Sequence, residues 1–466
     1  MALSPTSPLH PGVSVVVTVD HLDLDGAGVA DLQTDVGLFR LHVAGALPGE
    51  RVRATVAHVS PHAREQGQDA WADLEEVAIA SPDRATPPCP THDRCGSCPL
   101  ASWAYAAQVE WKRGLVAEAM ATQKDLLVAG CVPSPRPFGY RGNAKYVFGH
   151  DREGRLVLGA YAPRSHEIVD MSGCPIGEPA LAEVAAALLP LLLQHAVEPF
   201  DEVRRTGLLR YVVLRANAEG QVLVALVTGR EGWPQAETIA RELAAACPAV
   251  LGVVHNINSA SGNALFGEAD RLLFGSAFIE NTIGPARVRL GPRSFAQANR
   301  LVAGRAYHDI VAAAARLGSI DRAVDAYAGA GGIALSLAPL AREVVAIEGN
   351  PAACATAQQF LAERGPGDPG ARVRFVTGDV ADHLGQVGTA DLVVLNPPRK
   401  GCSSAVLAAV AQLRPRLVAY LSCNPISLAR DLAALARLGL HTASITPYDM
   451  LPQTPHVEAL ALLDGA

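Results

Sequence analysis

The chain has 466 residues, of which 49% are apolar, 18% charged and 5% aromatic, and its formal net charge is −7. That length exceeds what one hydrophobic core usually fills, so several domains are expected, and the composition excludes a disordered chain. No stretch offers the eighteen or more uninterrupted apolar residues of a membrane span, and the opening MALSPTSPLH lacks the basic and apolar blocks of a signal peptide, so a cytoplasmic protein without a membrane partner is expected.

From Val13 to about Ile79 the sequence reads as five short strands (SVVVTVDHL, GAGVADL, GLFRLHVAG, RVRATVAHV and AWADLEEVAI) separated by Gly, Pro and Asp turns. This spacing predicts a small OB-like barrel over residues 9–80, a shape that serves oligonucleotide binding and structural adaptors alike. A Pro-rich joint, SPDRATPPCP, follows, and Ala101 to about Lys124 reads as helical. Strands such as KYVFGH, RLVLGAYA, RYVVLRANA and QVLVALVTG then mix with two Ala/Leu-rich helices, which predicts an α+β middle domain over 81–290. From 291 to 466 the apolar runs RAVDAYAG, EVVAIEG, VRFVTGD, DLVVLNPP and LVAYLSCNP alternate with Ala-rich helical stretches, the pattern of an α/β, doubly wound, Rossmann-like sheet.

Nine cysteines without an export signal favour ligation or catalysis over disulfides. Cys89, Cys95 and Cys98 form C-x5-C-x2-C, and Cys174 in SGCPI is the candidate fourth ligand. Four thiolates suit structural zinc or an iron–sulfur cluster, so spacing leaves the metal open. Cys131, Cys247, Cys354 and Cys402 have no ligand spacing and read as core or surface residues.

The first run of the last domain enters Asp325-Ala326-Tyr327-Ala328-Gly329-Ala330-Gly331-Gly332, a turn whose small residues let backbone approach a ligand at a helix N-terminus. Glu348 ends the next strand, where an acidic side chain accepts hydrogen bonds from ribose hydroxyls; Asp379 and Asn396 end the third and fourth. Four polar groups therefore line one carboxyl edge, where open α/β sheets bind ligands. Asn396 opens Asn-Pro-Pro, as in many adenosylmethionine-dependent enzymes, although a dinucleotide oxidoreductase is not excluded.

The fifth strand brings Cys423 in Leu-Ser-Cys-Asn-Pro to that same edge, where main-chain donors can hold a thiol as thiolate. Near the end, PYDMLPQTPHVE places Glu458 behind a Pro-rich loop at the mouth of a final apolar run, a setting that suits a desolvated general base; His456 reads as a satisfied loop histidine. Such a pair suits methylation of carbon 5 of uracil, with Cys423 adding at carbon 6 and Glu458 removing the carbon-5 proton.

SCNP, PQTPHVE, Gln297 in SFAQANRLVAG, and YRGNAKYVFG with SHEIVDMSGCPI together resemble the RNA uracil-5-methyltransferase family over nearly the whole chain. The resemblance implies a TRAM domain, an RNA-binding module, for the barrel, S-adenosylmethionine held by Gln297, Tyr327, Gly332, Glu348, Asp379 and Asn396, Cys423 as nucleophile and Glu458 as base. For Cys89, Cys95, Cys98 and Cys174 it implies a [4Fe-4S] cluster, zinc being the alternative. It also implies an RNA partner, 23S ribosomal before transfer RNA, and a monomer. Three departures stand out: Asn396 where the family has Asp, Tyr327 where it has Phe, and Leu451 where it has Phe. Asn396 also supports a second reading, an amino-group methyltransferase acting through Asn-Pro-Pro-Arg, with Arg399 at the usual aromatic position; a third is a non-catalytic RNA-binding relative. Arg136, Arg141, Lys145, Arg204, Arg205 and Arg210 are candidate phosphate contacts.

Overall fold

The computed structural model describes residues 9–465 except 65–66, 124–125, 263 and 366, so the end of the expected helical stretch at Lys124 lies outside the described residues. The chain packs as two compact units, Met1–Trp111 with Pro452–Pro455, and Lys112–Leu451 with His456–Ala466. No described helix is long and apolar enough to cross a membrane.

The first unit carries a six-stranded sheet in the spatial order first, fifth, sixth, fourth, third, second. Its strands are Ser14–Thr18, His21–Leu22, Gly28–Thr34, Gly37–Val43, Arg51–Arg64 and Gly67–Ile79. The expected single strand SVVVTVDHL is two strands. At the break Val19 N–H donates to Glu50 O and Asp20 N–H to Val29 O, so the chain leaves one neighbour for another. Val15, Val17, Leu41, Val43, Val52 and Ala54 alternate inward to form the core. Residues 9–80 hold eleven Asp and Glu against four Arg, so the whole chain's charge of −7 resides here.

The second unit contains two large sheets. One runs Ala269–Gly275, Val250–Ile257, Val222–Thr228, Leu209–Ala216, Asn143–His150, Leu156–Tyr161 and Ile168–Asp170, and packs helices Pro179–Gln194 and Ala236–Ala246 into one apolar core. The other has the spatial order Val373–Thr377, Ala341–Glu348, Ile320–Ala326, Leu392–Leu395, Leu417–Ser422, Glu458–Asp464, His441–Tyr448. The first five are parallel, and Glu458–Asp464 inserts antiparallel. Successive residues alternate between two cores: Val344 and Ala346 face one, Val345 and Ile347 the other. Both faces are thus buried, which explains the near-continuous apolar runs in the sequence.

Candidate active site

Strand Ile320–Ala326 is paired on one side with Ala341–Glu348 and on the other with Leu392–Leu395, so strand order reverses at its carboxyl end. In open α/β sheets such a reversal is where ligands bind. Tyr327 follows the strand with φ 65°, and Gly329 and Gly331 also lie at positive φ, which bends the chain sharply into the helix Gly332–Leu337. The glycine at 331 is required twice over, since a Cβ would stand 2.6 Å from the Phe375 ring. Glu348 closes the turn: one carboxylate oxygen accepts from Gly329 N–H at 2.8 Å and the other from Asn350 N–H at 2.7 Å.

Asp325 lies beneath this turn, 1% exposed. One of its oxygens accepts from Ala334 N–H at 2.8 Å, and the other is buried with no partner. Burial, offset in part by the Ala334 hydrogen bond and reinforced by Glu348, raises its carboxyl to about 7. Asp379 is exposed and caps the short helix Val380–His383 through Ala381 N–H at 2.8 Å. Asn396 is half-buried, its N–H on Ala326 O. Gln297 sits on a loop held from three sides. Arg215 donates to Pro292 O at 3.1 Å and to Ser294 O, Gly142 N–H to Ala298 O, and Asn299 Nδ2 to Ser134 Oγ.

Cys423 and Glu458 meet because one strand is reversed. The register pairs Ser422 with Ala459, so the residue that leaves strand Leu417–Ser422 faces the residue that begins Glu458–Asp464. Arg399 stands beside both, its charge favouring the ionised form of each, and its Nη2 donates to His456 Nδ1 at 2.8 Å. Because guanidinium only donates, that ring nitrogen is the acceptor. Burial raises Glu458 to about 8 against the pull of Arg399. Burial, then Glu458, push the Cys423 thiol up as well, so the expected resting thiolate is corrected: strand-edge placement also desolvates the sulfur. Motif reading named Arg399 only in the amino-group alternative, without its place beside Cys423 and Glu458, and missed Tyr307. The Tyr307 ring would meet a Cβ on Gly332 at 3.0 Å, and its hydroxyl is within electrostatic reach of both Asp325 and Glu458.

Cys89, Cys95, Cys98 and Cys174 are of intermediate exposure and form no disulfide, the first three lying in the first unit and Cys174 in the second. The donor chemistry fits a thiolate-bound metal, but among the described residues no three His, Cys, Asp or Glu side chains are gathered as ligands. Cys131, Cys247, Cys354 and Cys402 are buried. Of the candidate phosphate contacts, Arg136, Arg141, Lys145, Arg204 and Arg205 are exposed. Arg210 is withdrawn: it is 2% exposed, forked on Glu202 at 2.9 and 2.8 Å, and donates to Asn258 O and Ala260 O.

No family model matches the chain. An uncharacterised RNA methyltransferase of Halalkalibacterium halodurans is 34% identical to it, the match covering 98% of each chain. Another, from Geobacter sulfurreducens, is 35% identical over 99% of this chain and 92% of its own. The chain belongs to the RNA methyltransferases. This methyltransferase also shares its fold with the crystal structure of Pyrococcus abyssi tRNA (uracil-54, C5)-methyltransferase in complex with S-adenosyl-L-homocysteine, with a TM-score of 0.75, 23% identity, and 96% and 100% of the two chains covered. The Rossmann-like α/β reading of the last sheet accordingly holds.

Proposed function

We propose that this RNA methyltransferase methylates carbon 5 of a uridine, with Cys423 as nucleophile, Glu458 as base and S-adenosylmethionine as donor. The observation that carries the reading is the meeting of Cys423 and Glu458 at adjoining strand ends, with Arg399 beside both. The residues at the strand-order reversal fit the donor: the Asp325 oxygen without a partner and the Gly-rich turn suit a cationic, adenosine-bearing ligand. Gln297, Tyr327, Gly332, Glu348, Asp379 and Asn396 would hold it, and when bound it supplies an electrophilic methyl sulfonium.

Cys423 gives its thiol proton to solvent and the thiolate adds to carbon 6, while the electrons of the 5,6 double bond move toward carbon 5 as an enolate, which makes that carbon nucleophilic. Once carbon 5 is methylated, Glu458 takes its proton. The double bond re-forms, and the carbon–sulfur bond breaks to return Cys423 as thiolate. Arg399 eases both charged forms by standing next to them. A paired base hides carbons 5 and 6 in the stack, so the target uridine lies in a loop or is flipped out.

The same proposal extends to 23S ribosomal RNA as substrate, a TRAM barrel followed in the chain by middle and catalytic domains, a monomer in the cytoplasm, and a [4Fe-4S] cluster resting on the cysteine spacing and on thiols that form no disulfide. No catalytic step passes through the cluster. Iron content and broad absorption near roughly 400 nm test it, with stoichiometric zinc as the opposing result.

The reaction is tested with RNA containing 5-fluorouridine, whose carbon-5 fluorine cannot leave as a proton does. A covalent protein–RNA adduct through Cys423 is expected. Normal methylation by Cys423→Ala would sink the covalent reading and favour transfer to an amino group through Asn396. Retained RNA binding by the unaltered protein with no methyl transfer to any cellular RNA would favour a non-catalytic relative. Loss of 5-methyluridine from ribosomal but not transfer RNA in a deletion strain decides the substrate.

A further inference from the structure

The Arg399 loop is tied from behind by one helix. Gly401 N–H donates to Pro398 O at 2.8 Å, closing a tight turn over Pro398–Gly401. Arg399 O accepts from Asn424 Nδ2 at 3.1 Å and from Ser427 Oγ at 3.0 Å, and Lys400 O from Arg430 Nη2 at 2.8 Å. All three donors sit on Pro425–Arg437 or its N-cap, the helix that starts two residues after Cys423.

At the centre is Asp431, 1% exposed. Its Oδ2 accepts from Cys402 N–H at 2.8 Å and from the Tyr420 hydroxyl at 2.7 Å, and its Oδ1 from Arg430 Nε at 2.8 Å. Tyr420 also reaches Cys402 Sγ, which lies within interaction range of the Tyr327 hydroxyl. Gly401, at φ 76°, passes so close that a Cβ there would collide with Asp431 Oδ2 and Arg430. A buried carboxylate with three donors, wrapped by a loop that only glycine can follow, fixes that loop's position.

We propose that Asp431 is a positioning residue of the active site: its carboxylate holds the Arg399–Cys402 loop so that the Arg399 guanidinium stands against Cys423 and Glu458. It touches neither reacting group and acts through Arg399. The charged and titratable groups facing Cys423 are Glu458 and Arg399, with His456 bonded to the latter; those facing Asp431 are Arg430, Tyr420 and Cys402. Loss of the hold lets Arg399 drift and leaves the Cys423 thiol less acidic.

The inference rests on Cys423 as nucleophile for its consequence, but its test needs no RNA. Full-length protein is alkylated with iodoacetamide across pH, and Cys423 labelling is followed by peptide mass spectrometry in the parent, Asp431→Asn, Tyr420→Phe, Arg399→Gln and the Asp431→Asn/Arg399→Gln double variant. Asp431→Asn is expected to move the Cys423 midpoint upward by about half a unit, roughly a threefold loss of thiolate near neutrality. Arg399→Gln moves it the same way, and the double variant no further than Arg399→Gln alone. A folded Asp431→Asn protein with an unmoved midpoint, or fully additive shifts, overturns the proposal. If Asp431→Asn does not fold, Tyr420→Phe decides the question, since it removes one of the three donors to Asp431: an upward shift supports the proposal and none overturns it. Should methylation prove independent of Cys423, the labelling profile still reads the hold on Arg399, so the two failures are separate.

Discussion

Asp325→Asn puts the strain at the cofactor turn to a quantitative test. Burial pushes the folded carboxyl up to about 7 from its ordinary 3.8, a difference of about 4 kcal/mol at most. Because the folded value is raised, the unfolded chain ionises first as pH climbs. Stability therefore falls between about pH 4 and pH 7 and is flat above. The amide does not titrate. It keeps the acceptor for Ala334 N–H but buries two N–H protons beside the site where an oxygen already lacks a partner, which costs about 1–3 kcal/mol at every pH. The variant is thus less stable near pH 4 and more stable near pH 8, with the curves crossing between. A chain of this size has no single unfolding free energy, so the measurement is hydrogen exchange of peptides spanning 320–350, corrected for intrinsic rates. Protection that changes in parallel for parent and variant from pH 5 to 8 would refute the reasoning. Added S-adenosylhomocysteine should protect the parent more than the variant.

Glu458→Gln should lower turnover by roughly 10²–10⁴-fold while covalent RNA adduct accumulates, because addition survives and proton removal does not; gel retention under denaturing conditions reads it. In the parent, turnover should rise with pH through about 8 as Glu458 ionises, and an activity peak at pH 6 would contradict that assignment. Gly331→Ala forces a side chain onto φ 81° and into Phe375, and should cost about 1–3 kcal/mol and weaken cofactor binding, measured by thermal shift and calorimetry. Lys112→Ala leaves Asp449 charged and buried where both partners are now 0% exposed at 2.5 Å, a loss of about 3–5 kcal/mol; Lys112→Met with Asp449→Leu should restore most of it in thermal melts.

Much of this was legible in the sequence, for physical reasons. A parallel strand buried on both faces must be apolar throughout and must end in a polar or turn residue, so the runs finishing at Asp325, Glu348, Asn396 and Cys423 marked their own carboxyl edge. What pattern reading could not supply is the neighbour across a gap in sequence. Arg399 reaches Glu458 only because an antiparallel strand inserts beside Leu417–Ser422, and periodicity carries no strand order. The rise in the Cys423 thiol comes first from burial and then from Glu458, and a motif names neither the packing around the sulfur nor the carboxyl facing it. Arg210 looked like any surface arginine until its buried partners were seen.

The charge of residues 9–80 bears on how such an enzyme chooses RNA. With eleven acidic residues against four arginines over residues 9–80, this part of the chain repels a polyanion, and everything after it is neutral on balance. Indiscriminate adhesion to any strand is therefore discouraged, and an RNA must compensate with contacts of shape and base. Added salt screens the repulsion while it weakens the arginine contacts, so affinity should fall less steeply with ionic strength than a count of those arginines implies. Selectivity of this kind is negative: it comes from refusing the wrong strand as much as from gripping the right one.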